Sequence, residues 1–458
     1  MIKIKSIEFL NDEVFGNRVF DFTINGRIAS TIVLAGLNGS GKTRLLKFIY
    51  DALNRGIHTG ANQGIVCAYI ILDITSEGVF SEDKTIDTAK IICRKADRML
   101  YEVQYYSDGN RVNVAYQTLN NEVTYYYLHI KTLFSTVDIN YNPLHDIKSV
   151  SNSKLDNDDT TIPNDLASEI IQLLVDIKVQ DNNDIAEYIE DHEGKNVPES
   201  KRNIRTKRFN TAFYKIFDKK LRFKGLENNT IPIFQKGNNR IKIKDLSSGE
   251  KQIVFRGTYL LRNHDALDGV PVLIDEPEIS MHPSWNKKIY NFYRRLFNDN
   301  NNKPTSQLII ATHSEYVIES ALEDSDCVIT KMDNNDNKNY GKEINDSILE
   351  KTTSAEIKYS IFDVPTIDFH IQLYSYIQNN LCNQTDTIKQ IDNYLLSNNS
   401  PTKYYSYRDR NNVLHEYNSL CTYIRNCIDH PDENHSYTNT EFEKSLKYMI
   451  RLIIRTRN

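Results

Sequence analysis

A glycine-rich loop provides the clearest chemistry in this chain. Gly36-Leu37-Asn38-Gly39-Ser40-Gly41-Lys42-Thr43 lies between the apolar run Thr31–Ala35 and a helix that begins Leu45-Leu46. Glycines let backbone N–H groups turn toward phosphate oxygens, and the N-terminus of the helix adds partial positive charge. In this spacing Lys42 reaches the β- and γ-phosphates and Thr43 binds Mg²⁺. The loop therefore predicts a site for ATP and Mg²⁺.

Two further apolar runs end in residues suited to hydrolysis. Val270–Ile274 leads into Asp275-Glu276, and Gln307–Ala311 leads into Thr312-His313-Ser314. Buried parallel strands have this continuous apolar character, and ligands bind at their carboxyl ends. Asp275 is expected to hold Mg²⁺, and Glu276 to polarise the attacking water as general base. His313 is expected to sense the γ-phosphate.

A third loop, Leu246-Ser247-Ser248-Gly249-Glu250-Lys251-Gln252, opens a helix. Ser247 and Glu250 form a capping box, and the same hydroxyl, glycine and helix tip can bind an anion. The loop resembles the signature of ABC ATPases. That resemblance implies that Ser247, Ser248, Gly249 and Glu250 face ATP bound to a second copy, so that ATP closes a homodimer. The glutamine of the family's Q-loop is not placed; Gln104 and Gln117 are its candidates.

These motifs require an α/β fold with a mixed sheet, the P-loop NTPase fold of ABC type. The predicted parts are an N-terminal ATPase lobe (1–55), an inserted lobe (56–240), a second ATPase lobe (241–345) and an α-helical C-terminal domain (350–458). No sustained heptads occur in the insert, which excludes long coiled-coil arms. The Asn/Asp/Lys/Gly-rich stretch at 331–346 is predicted to connect the last two parts.

The C-terminal part is predicted to be helical. A stripe from Leu414 to Ile428 at steps of three and four predicts one helix. Phe442–Ile454 predicts a second, after one of two possible capping boxes, Thr438-x-x-Glu441 or Thr440-x-x-Glu443.

Arg425-Asn426 and His430 near the end of the first helix resemble the R-x4-6-H motif of HEPN ribonucleases, which cut RNA without metal. The resemblance implies that Arg425 stabilises the charged phosphorane, that His430 transfers protons and that Asn426 orients them. The alternative is structural: Arg425 pairs with Asp429 along the helix, and His430 belongs to its end.

Composition limits the function classes. The net charge is −5, with 40% hydrophobic and 26% charged residues. A net negative chain is not expected to coat nucleic acid, so any such contact requires a local patch, for which the basic run 201–208 is the candidate; a solvated face is the commoner meaning of such runs. The six cysteines are scattered, without zinc-site spacing. No membrane span or signal peptide is predicted, and a cytoplasmic location is expected.

The residues after the acid pair indicate which ABC proteins the chain resembles. Glu276-Pro277-Glu278-Ile279-Ser280-Met281-His282-Pro283 lacks the turn typical of membrane transporters and is similar to RecF, OLD and related SMC-like ATPases. A longer match, over Phe209–Phe213, Leu246–Gly257, the acid strand Val270–Pro277 and Ser306–Ser314, resembles stand-alone AAA-family ATPases of phage defence, notably the PtuA type of Septu systems. No acidic Toprim cluster follows the ATPase motifs.

The resemblance implies a defence ATPase that controls a separate HNH nuclease. Three alternatives remain open: an ATP-gated HEPN ribonuclease that cuts tRNA, a RecF-like DNA-repair ATPase, and a scaffold that uses ATP as a conformational lock.

Overall fold

The computed structural model forms two compact units, Met1–Glu343 and Ile344–Asn458. The residues that the structure describes are 1–53, 67–74, 80–81, 84–95, 99–112, 117–119, 122–124, 133–135, 147–149, 166–192, 196–213, 216–217, 220–262, 269–299, 301–332, 347–350, 352–382, 387–408, 411–431 and 433–457. Most of the predicted connection at 331–346 lies outside them. None of the helices in these ranges is long and apolar enough to cross a membrane.

The described strands, in chain order, are β1 Lys3–Asp12, β2 Gly16–Asp21, β3 Thr23–Ile24, β4 Arg27–Ile28, β5 Thr31–Ala35, β6 Cys67–Asp73, β7 Phe80–Ser81, β8 Lys84–Thr85, β9 Thr88–Lys95, β10 Met99–Ser107, β11 Asn110–Val112, β12 Gln117–Leu119, β13 Glu122–Thr124, β14 Leu133–Ser135, β15 Leu221–Glu227, β16 Ile231–Lys236, β17 Asn239–Lys242, β18 Val272–Asp275, β19 Leu308–Thr312, β20 Cys327–Lys331, β21 Thr402–Arg408 and β22 Leu414–Ser419.

The described α-helices are α1 Lys42–Leu53, α2 Leu166–Asp191, α3 Ile204–Phe213, α4 Ser248–Arg262, α5 Pro283–Leu296, α6 Glu315–Leu322, α7 Ser354–Phe362, α8 Ile367–Tyr376, α9 Ile388–Ser397, α10 Leu420–Asp429 and α11 Asn439–Arg457. Short 3-10 turns occur at Glu199–Lys201 and Ile243–Asp245, and a π-helical turn at Ile377–Leu381.

A five-stranded parallel sheet of order β14-β18-β19-β5-β20 positions the predicted site. Every residue of β5, β18 and β19 is buried, as continuous apolar runs covered on both faces should be. The carboxyl ends of these three neighbouring strands meet at one edge of the sheet. The predicted mixed α/β, P-loop NTPase fold of ABC type is thereby confirmed.

An antiparallel sheet of order β11-β10-β9-β6-β1-β2 accompanies the parallel one. Gln307, just before β19, joins the two. Its Oε1 accepts from the Ile4 amide at 2.7 Å, and its Nε2 donates to the carbonyl oxygens of Ile4 at 3.1 Å and Ala29 at 2.9 Å. A buried amide with its polar groups bonded in this way fixes β1 beside the site-bearing strands.

The inserted region contributes helices α2 and α3 and the antiparallel sheet β15-β16-β17. Among the described residues the longest helix, α2, has 26 residues, so this lobe has no long coiled-coil arm there. Asp181 of α2 caps α3: its carboxylate oxygens accept from the amides of Arg205 and Thr206, each at 2.9 Å. The buried carboxylate satisfies two amides that the first turn of a helix leaves open.

Three cations of the basic run at 201–208 are bonded within the chain. Arg202 Nε donates to the Val197 carbonyl at 2.8 Å, the Lys207 ammonium contacts a Glu199 carboxylate oxygen at 2.6 Å, and Arg205 pairs with Asp184. Each of these cations already has a local partner. The run therefore fits a solvated, internally paired face better than a nucleic-acid patch.

The C-terminal unit is mainly helical but includes the hairpin β21-β22. The prediction of a continuous helix from Leu414 was wrong, because residues 414–419 form β22 and α10 begins at Leu420, capped by the Ser419 hydroxyl. The side chain of Tyr417 is buried on one face of β22, while Leu414 is 46% exposed. The apolar residues of β22 and α10 together have the three- and four-residue spacing of a single helix, because the strand runs directly into the helix. The predicted second helix is α11, and the Thr438–Glu441 capping box forms, with reciprocal bonds of 2.8 and 3.2 Å.

Candidate nucleotide site

The glycine-rich loop connects β5 to α1, as its sequence predicts. Gly39 and Gly41 have φ values of 79° and 91°, in the left-handed region that side chains other than glycine disfavour. A Cβ on Gly36 would lie 2.3 Å from the Met332 carbonyl oxygen, and one on Gly41 2.9 Å from the Phe15 ring. The loop thus needs glycine for its backbone conformation and for close approach. Asn38 and Gly39 form its exposed tip, whereas Ser40 is buried.

Lys42 lies at the centre of this loop. Its Nζ donates to the carbonyl oxygens of Gly36 and Leu37, both at 2.8 Å, and lies 3.4 Å from Ser40 Oγ. Burial lowers the pKa of the amine, against the attraction of the nearby Glu276 and Asp275 carboxylates. A partly desolvated ammonium inside a loop of backbone dipoles suits phosphate oxygens, which attract it more strongly than neutral carbonyls do.

Thr43 and Asp275 meet across the loop and the end of β18. Thr43 Oγ1 donates to Asp275 Oδ2 at 2.8 Å. Asp275 is only 1% exposed, and burial raises the pKa of its carboxyl group to about 6. Its Oδ1 has no hydrogen-bond partner among the described residues. A hydroxyl beside a buried carboxylate with a spare oxygen fits Mg²⁺, which prefers oxygen ligands and neutralises phosphate charge when bound.

Glu276 and His313 come together at the same edge. His313 Nδ1 lies 3.3 Å from Glu276 Oε1, and the Glu276 amide donates to the Ala311 carbonyl at 2.8 Å. Glu276 has φ 42°, a left-handed conformation that costs a non-glycine residue roughly 1–3 kcal/mol. Strain of this kind persists only where surrounding contacts impose it. The turn therefore directs the predicted general base toward the strand that carries His313.

Two buried residues that hold this turn in place were missed by sequence reasoning. Arg256, on α4, is fully buried, and its Nη1 donates to the main-chain oxygens of Asp275 at 2.7 Å and Glu276 at 3.0 Å. Glu278 is 4% exposed, and its Oε1 accepts from Thr312 Oγ1 at 2.6 Å and from the His313 amide at 3.0 Å. The only sequence signals were a cation within the apolar part of α4 and a second acid two residues after Glu276.

The predicted signature loop caps α4. Glu250 Oε2 accepts from both the Ser247 amide and hydroxyl at 2.9 Å, and Glu250 Oε1 pairs with Lys236 at 2.8 Å. Burial acts to raise the pKa of Glu250, but the bonds from Lys236 and Ser247 outweigh it, and the pKa lies below its usual value.

Residues Ser247 and Ser248 are exposed, while Gly249 and Glu250 are buried. A Cβ on Gly249 would lie 2.9 Å from the Ser280 carbonyl oxygen and 3.3 Å from the Trp285 ring. The loop therefore packs on the turn that follows the acid pair and presents its hydroxyls to solvent.

One of the two glutamine candidates, Gln104, is bonded outside this arrangement. Gln104 lies on β10 in the antiparallel sheet, where its Nε2 donates to Glu102 Oε1 at 2.7 Å and its Oε1 accepts from the Tyr106 hydroxyl at 2.9 Å. The side chain of Gln117 lies outside the described residues. The Q-loop position stays unassigned.

In the C-terminal motif, the side chains are arranged as the structural alternative predicts, with an ion pair along the helix and a histidine at its end. Arg425 Nη2 lies 2.6 Å from Asp429 Oδ2, and Arg425 Nη1 donates to Asn426 Oδ1 at 2.9 Å. Asn426 is 2% exposed. His430 is exposed and ends α10, its amide donating to the Asn426 carbonyl at 2.8 Å. The guanidinium is thus directed to a carboxylate along its own helix rather than held free for a phosphate.

The sheet order, the phosphate loop on β5 and the acid pair on β18 define an ATPase domain of the P-loop class, of ABC type. The chain belongs to the family described as "AAA domain, putative AbiEii toxin, Type IV TA system", whose model matches residues 32–319.

Three SMC head structures are similar to the chain. They are the SMC head domain from Thermotoga maritima (17% identity, 72% of this chain and 96% of that chain covered, TM-score 0.35), an SmcHead bound to the C-winged helix domain of ScpA (16%, 72% and 95%, 0.38), and an Smc head with an extended coiled coil bound to the C-terminal domain of ScpA from Pyrococcus furiosus (14%, 73% and 94%, 0.37). No curated protein matches the chain in sequence.

Proposed function

We propose that this chain hydrolyses ATP with Mg²⁺ in a site completed by a second copy of itself. The observation that carries the proposal is the convergence of two pairs at one sheet edge: Thr43 with Asp275 at 2.8 Å, and Glu276 with His313 at 3.3 Å. Each pair joins residues more than 30 positions apart in sequence, and together they match the groups needed to hold a metal-bound phosphate and activate water.

Each residue has a chemical role in this proposal. Lys42 and the loop amides bind the β- and γ-phosphates, and Thr43 and Asp275 would hold Mg²⁺, which offsets the phosphate charge. Glu276 accepts a proton from a water whose oxygen attacks the γ-phosphorus, and the bond to the β,γ-bridging oxygen breaks. ADP leaves with that electron pair. His313 contacts the γ-phosphate from the neighbouring strand.

The exposed tip of α4 supports a composite site. Ser247 and Ser248 face solvent at a helix N-terminus, where anions are favoured. A second copy can therefore offer this tip to ATP held by the first. Light scattering of Glu276→Gln with Mg²⁺ and ATP should reveal a stable dimer, because nucleotide binds but is not cleaved. Lys42→Ala is the matched control and should remain monomeric. A Glu276→Gln protein that binds ATP yet stays monomeric would exclude the composite site.

We further propose that the ATPase belongs to an antiviral defence system and controls a nuclease, most simply an HNH protein. The resemblance of Phe209–Phe213, Leu246–Gly257, the acid strand and Ser306–Ser314 to defence ATPases supports this, as does the family description, which names a toxin of a type IV TA system. In the native host, protection against phage should require Lys42, and affinity capture of the wild-type chain should recover a nuclease. Equal protection by Lys42→Ala would contradict an ATP-controlled defence role.

A further inference from the structure

We propose that Glu278 is the positioning residue of this site: its carboxylate fixes the loop Thr312-His313-Ser314 so that the His313 imidazole stays against Glu276. The inference rests on the proposed ATP hydrolysis and deepens it. Glu278 makes no described bond to the phosphate loop or to the predicted metal ligands, and its charge acts on Lys42 only through space; its hydrogen bonds go to the loop of His313.

The bonds of Glu278 join two loops that leave neighbouring strands. β18 and β19 run in parallel register, with Asp275 opposite Ala311. Past the strand ends, Glu278 Oε1 accepts from Thr312 Oγ1 at 2.6 Å and from the His313 amide at 3.0 Å. One oxygen thus holds both the last residue of β19 and the backbone of the histidine. These bonds keep the loops after β18 and β19 aligned beyond the strand ends, where the predicted catalytic residues lie.

The hydroxyl group of Thr312 takes part in this connection both as an acceptor and as a donor. Its hydroxyl oxygen accepts from the Ser314 amide at 2.9 Å, which leaves the hydroxyl proton free to point to Glu278. Ser314 in turn precedes α6, so the loop is held at the strand end, at its centre and at the start of the helix. Because three successive residues are fixed, the backbone of His313 has little freedom to rotate.

The imidazole itself is less constrained than its backbone. The His313 side chain is 41% exposed, whereas the Glu278 side chain is 4% exposed. His313 Nδ1 lies 3.3 Å from Glu276 Oε1 and 3.7 Å from Glu278 Oε1. A buried carboxylate is costly unless bonded, and Glu278 Oε2 has no partner in the described part of the chain. The donors from the His313 loop are what stabilise this carboxylate in its buried position.

The two bonds converge on a single oxygen, which makes a sharp test possible. The side-chain amide oxygen of glutamine can accept both bonds, whereas alanine accepts neither. Glu278→Gln should therefore keep kcat within about 3-fold of wild type. Glu278→Ala should lower kcat roughly 10- to 100-fold, as small displacements of reacting groups do. Thr312→Val removes one donor and keeps a β-branched side chain, so its kcat should lie between the two.

The measurements are single-turnover ATP hydrolysis, binding of a fluorescent ATP analogue and thermal melting of each full-length variant. Support requires a fall in kcat for Glu278→Ala and Thr312→Val with nucleotide Kd within about 3-fold of wild type, since Lys42 and Thr43 are untouched. A wild-type kcat in either variant overturns the inference. So does a parallel loss of kcat, nucleotide binding and Tm in Thr312→Val, which indicates a purely structural role, or a folded Glu278→Gln protein that is as impaired as a folded Glu278→Ala protein.

Failure of the inference is distinguishable from failure of the proposed function. If wild-type protein hydrolyses ATP and Glu278→Ala hydrolyses it equally well, only the positioning role is lost. If wild-type protein neither binds nor hydrolyses ATP, the proposed function itself is refuted. Should Glu278→Ala fail to fold, Thr312→Val still decides, because its hydroxyl supplies one of the two bonds.

Discussion

The Arg256 guanidinium donates a hydrogen bond to the main-chain oxygen of Glu276 at 3.0 Å, and a second to that of Asp275 at 2.7 Å. Arg256 lies on α4, about two turns from Ser248, the first residue of the helix. The helix whose tip would receive ATP from another copy is therefore attached to the backbone of the predicted general base. We therefore expect a shift of α4 to be transmitted to Glu276, because packed elements shift as units rather than deform gradually.

The first prediction concerns this link. Arg256→Ala removes a charged donor from two main-chain oxygens, of which that of Glu276 keeps, among the described donors, only the Ile279 amide at 3.3 Å, and should lower the free energy of unfolding by about 2–4 kcal/mol. Arg256→Lys keeps one charged donor and should recover part of that loss. Urea denaturation measures the difference. Arg240→Ala, which removes an exposed arginine on β17, should change stability by less than about 0.5 kcal/mol. Equal effects of Arg256→Ala and Arg240→Ala would show that the buried bonds contribute little.

The second prediction concerns Gly249. A Cβ there would meet the Ser280 carbonyl oxygen at 2.9 Å, so Gly249→Val should displace the tip of α4. In a Glu276→Gln background we expect ATP-dependent dimerisation to weaken at least about 10-fold, while binding of ATP to the monomer is kept. Sedimentation with and without ATP checks this. Ser248→Ala, at the exposed neighbouring position, should weaken the dimer less. If the dimer is as stable in Gly249→Val as in the parent, the position of the α4 tip does not control dimerisation and the prediction is contradicted.

The third prediction follows from Asp275. Burial raises the pKa of its carboxyl group to about 6, so the group binds its proton more tightly in the folded than in the unfolded chain. Its contribution to the free energy of unfolding is therefore greatest at low pH and falls as pH rises through about 6. Mg²⁺ requires the ionised form, and bound metal competes with the proton.

The Mg²⁺ concentration needed for half-maximal ATP hydrolysis should accordingly rise roughly 10-fold between about pH 7 and pH 5. Chelation with EDTA should abolish hydrolysis. Isothermal titration of Mg²⁺ into the ATP-bound Glu276→Gln protein provides a readout that does not depend on turnover, and Asp275→Asn should show weak binding with little pH dependence. A pH-independent Mg²⁺ affinity in the parent protein would argue against Asp275 as a ligand.

The fourth prediction concerns the C-terminal motif. Because Arg425 pairs with Asp429 and His430 ends its helix, we expect purified protein and its His430→Ala variant to behave alike with tRNA, within about 2-fold in any cleavage. Both should melt within about 2 °C, since His430 is exposed. Gel analysis of end-labelled tRNA provides the measurement. Cleavage that His430→Ala abolishes would instead support the HEPN-type ribonuclease.

The strands that lead to the nucleotide site could be predicted from the sequence, whereas the first element of the C-terminal unit's Leu414 stretch could not. Spacing alone indicated the strands β5, β18 and β19 that lead to Lys42, Asp275 and His313, because buried parallel strands need continuous apolar runs and phosphate loops need glycine. The helix predicted from Leu414 failed, since burial every third or fourth residue also arises when a strand such as β22 ends directly in a helix. Periodicity records which side chains are covered, not which backbone conformation covers them.

The sequence by itself determined the phosphate loop, the acid pair, the histidine after β19 and the capped tip of α4, because each depends on local backbone chemistry and short spacing. Tertiary structure alone decided that Arg256 bonds to the turn after β18 and that Glu278 holds the loop of His313. These contacts join residues 19 to 35 positions apart and depend on the order of strands in the sheet, which no local pattern encodes. Burial strengthens such bonds, but the partners are far apart in the sequence and therefore cannot be recognised from it.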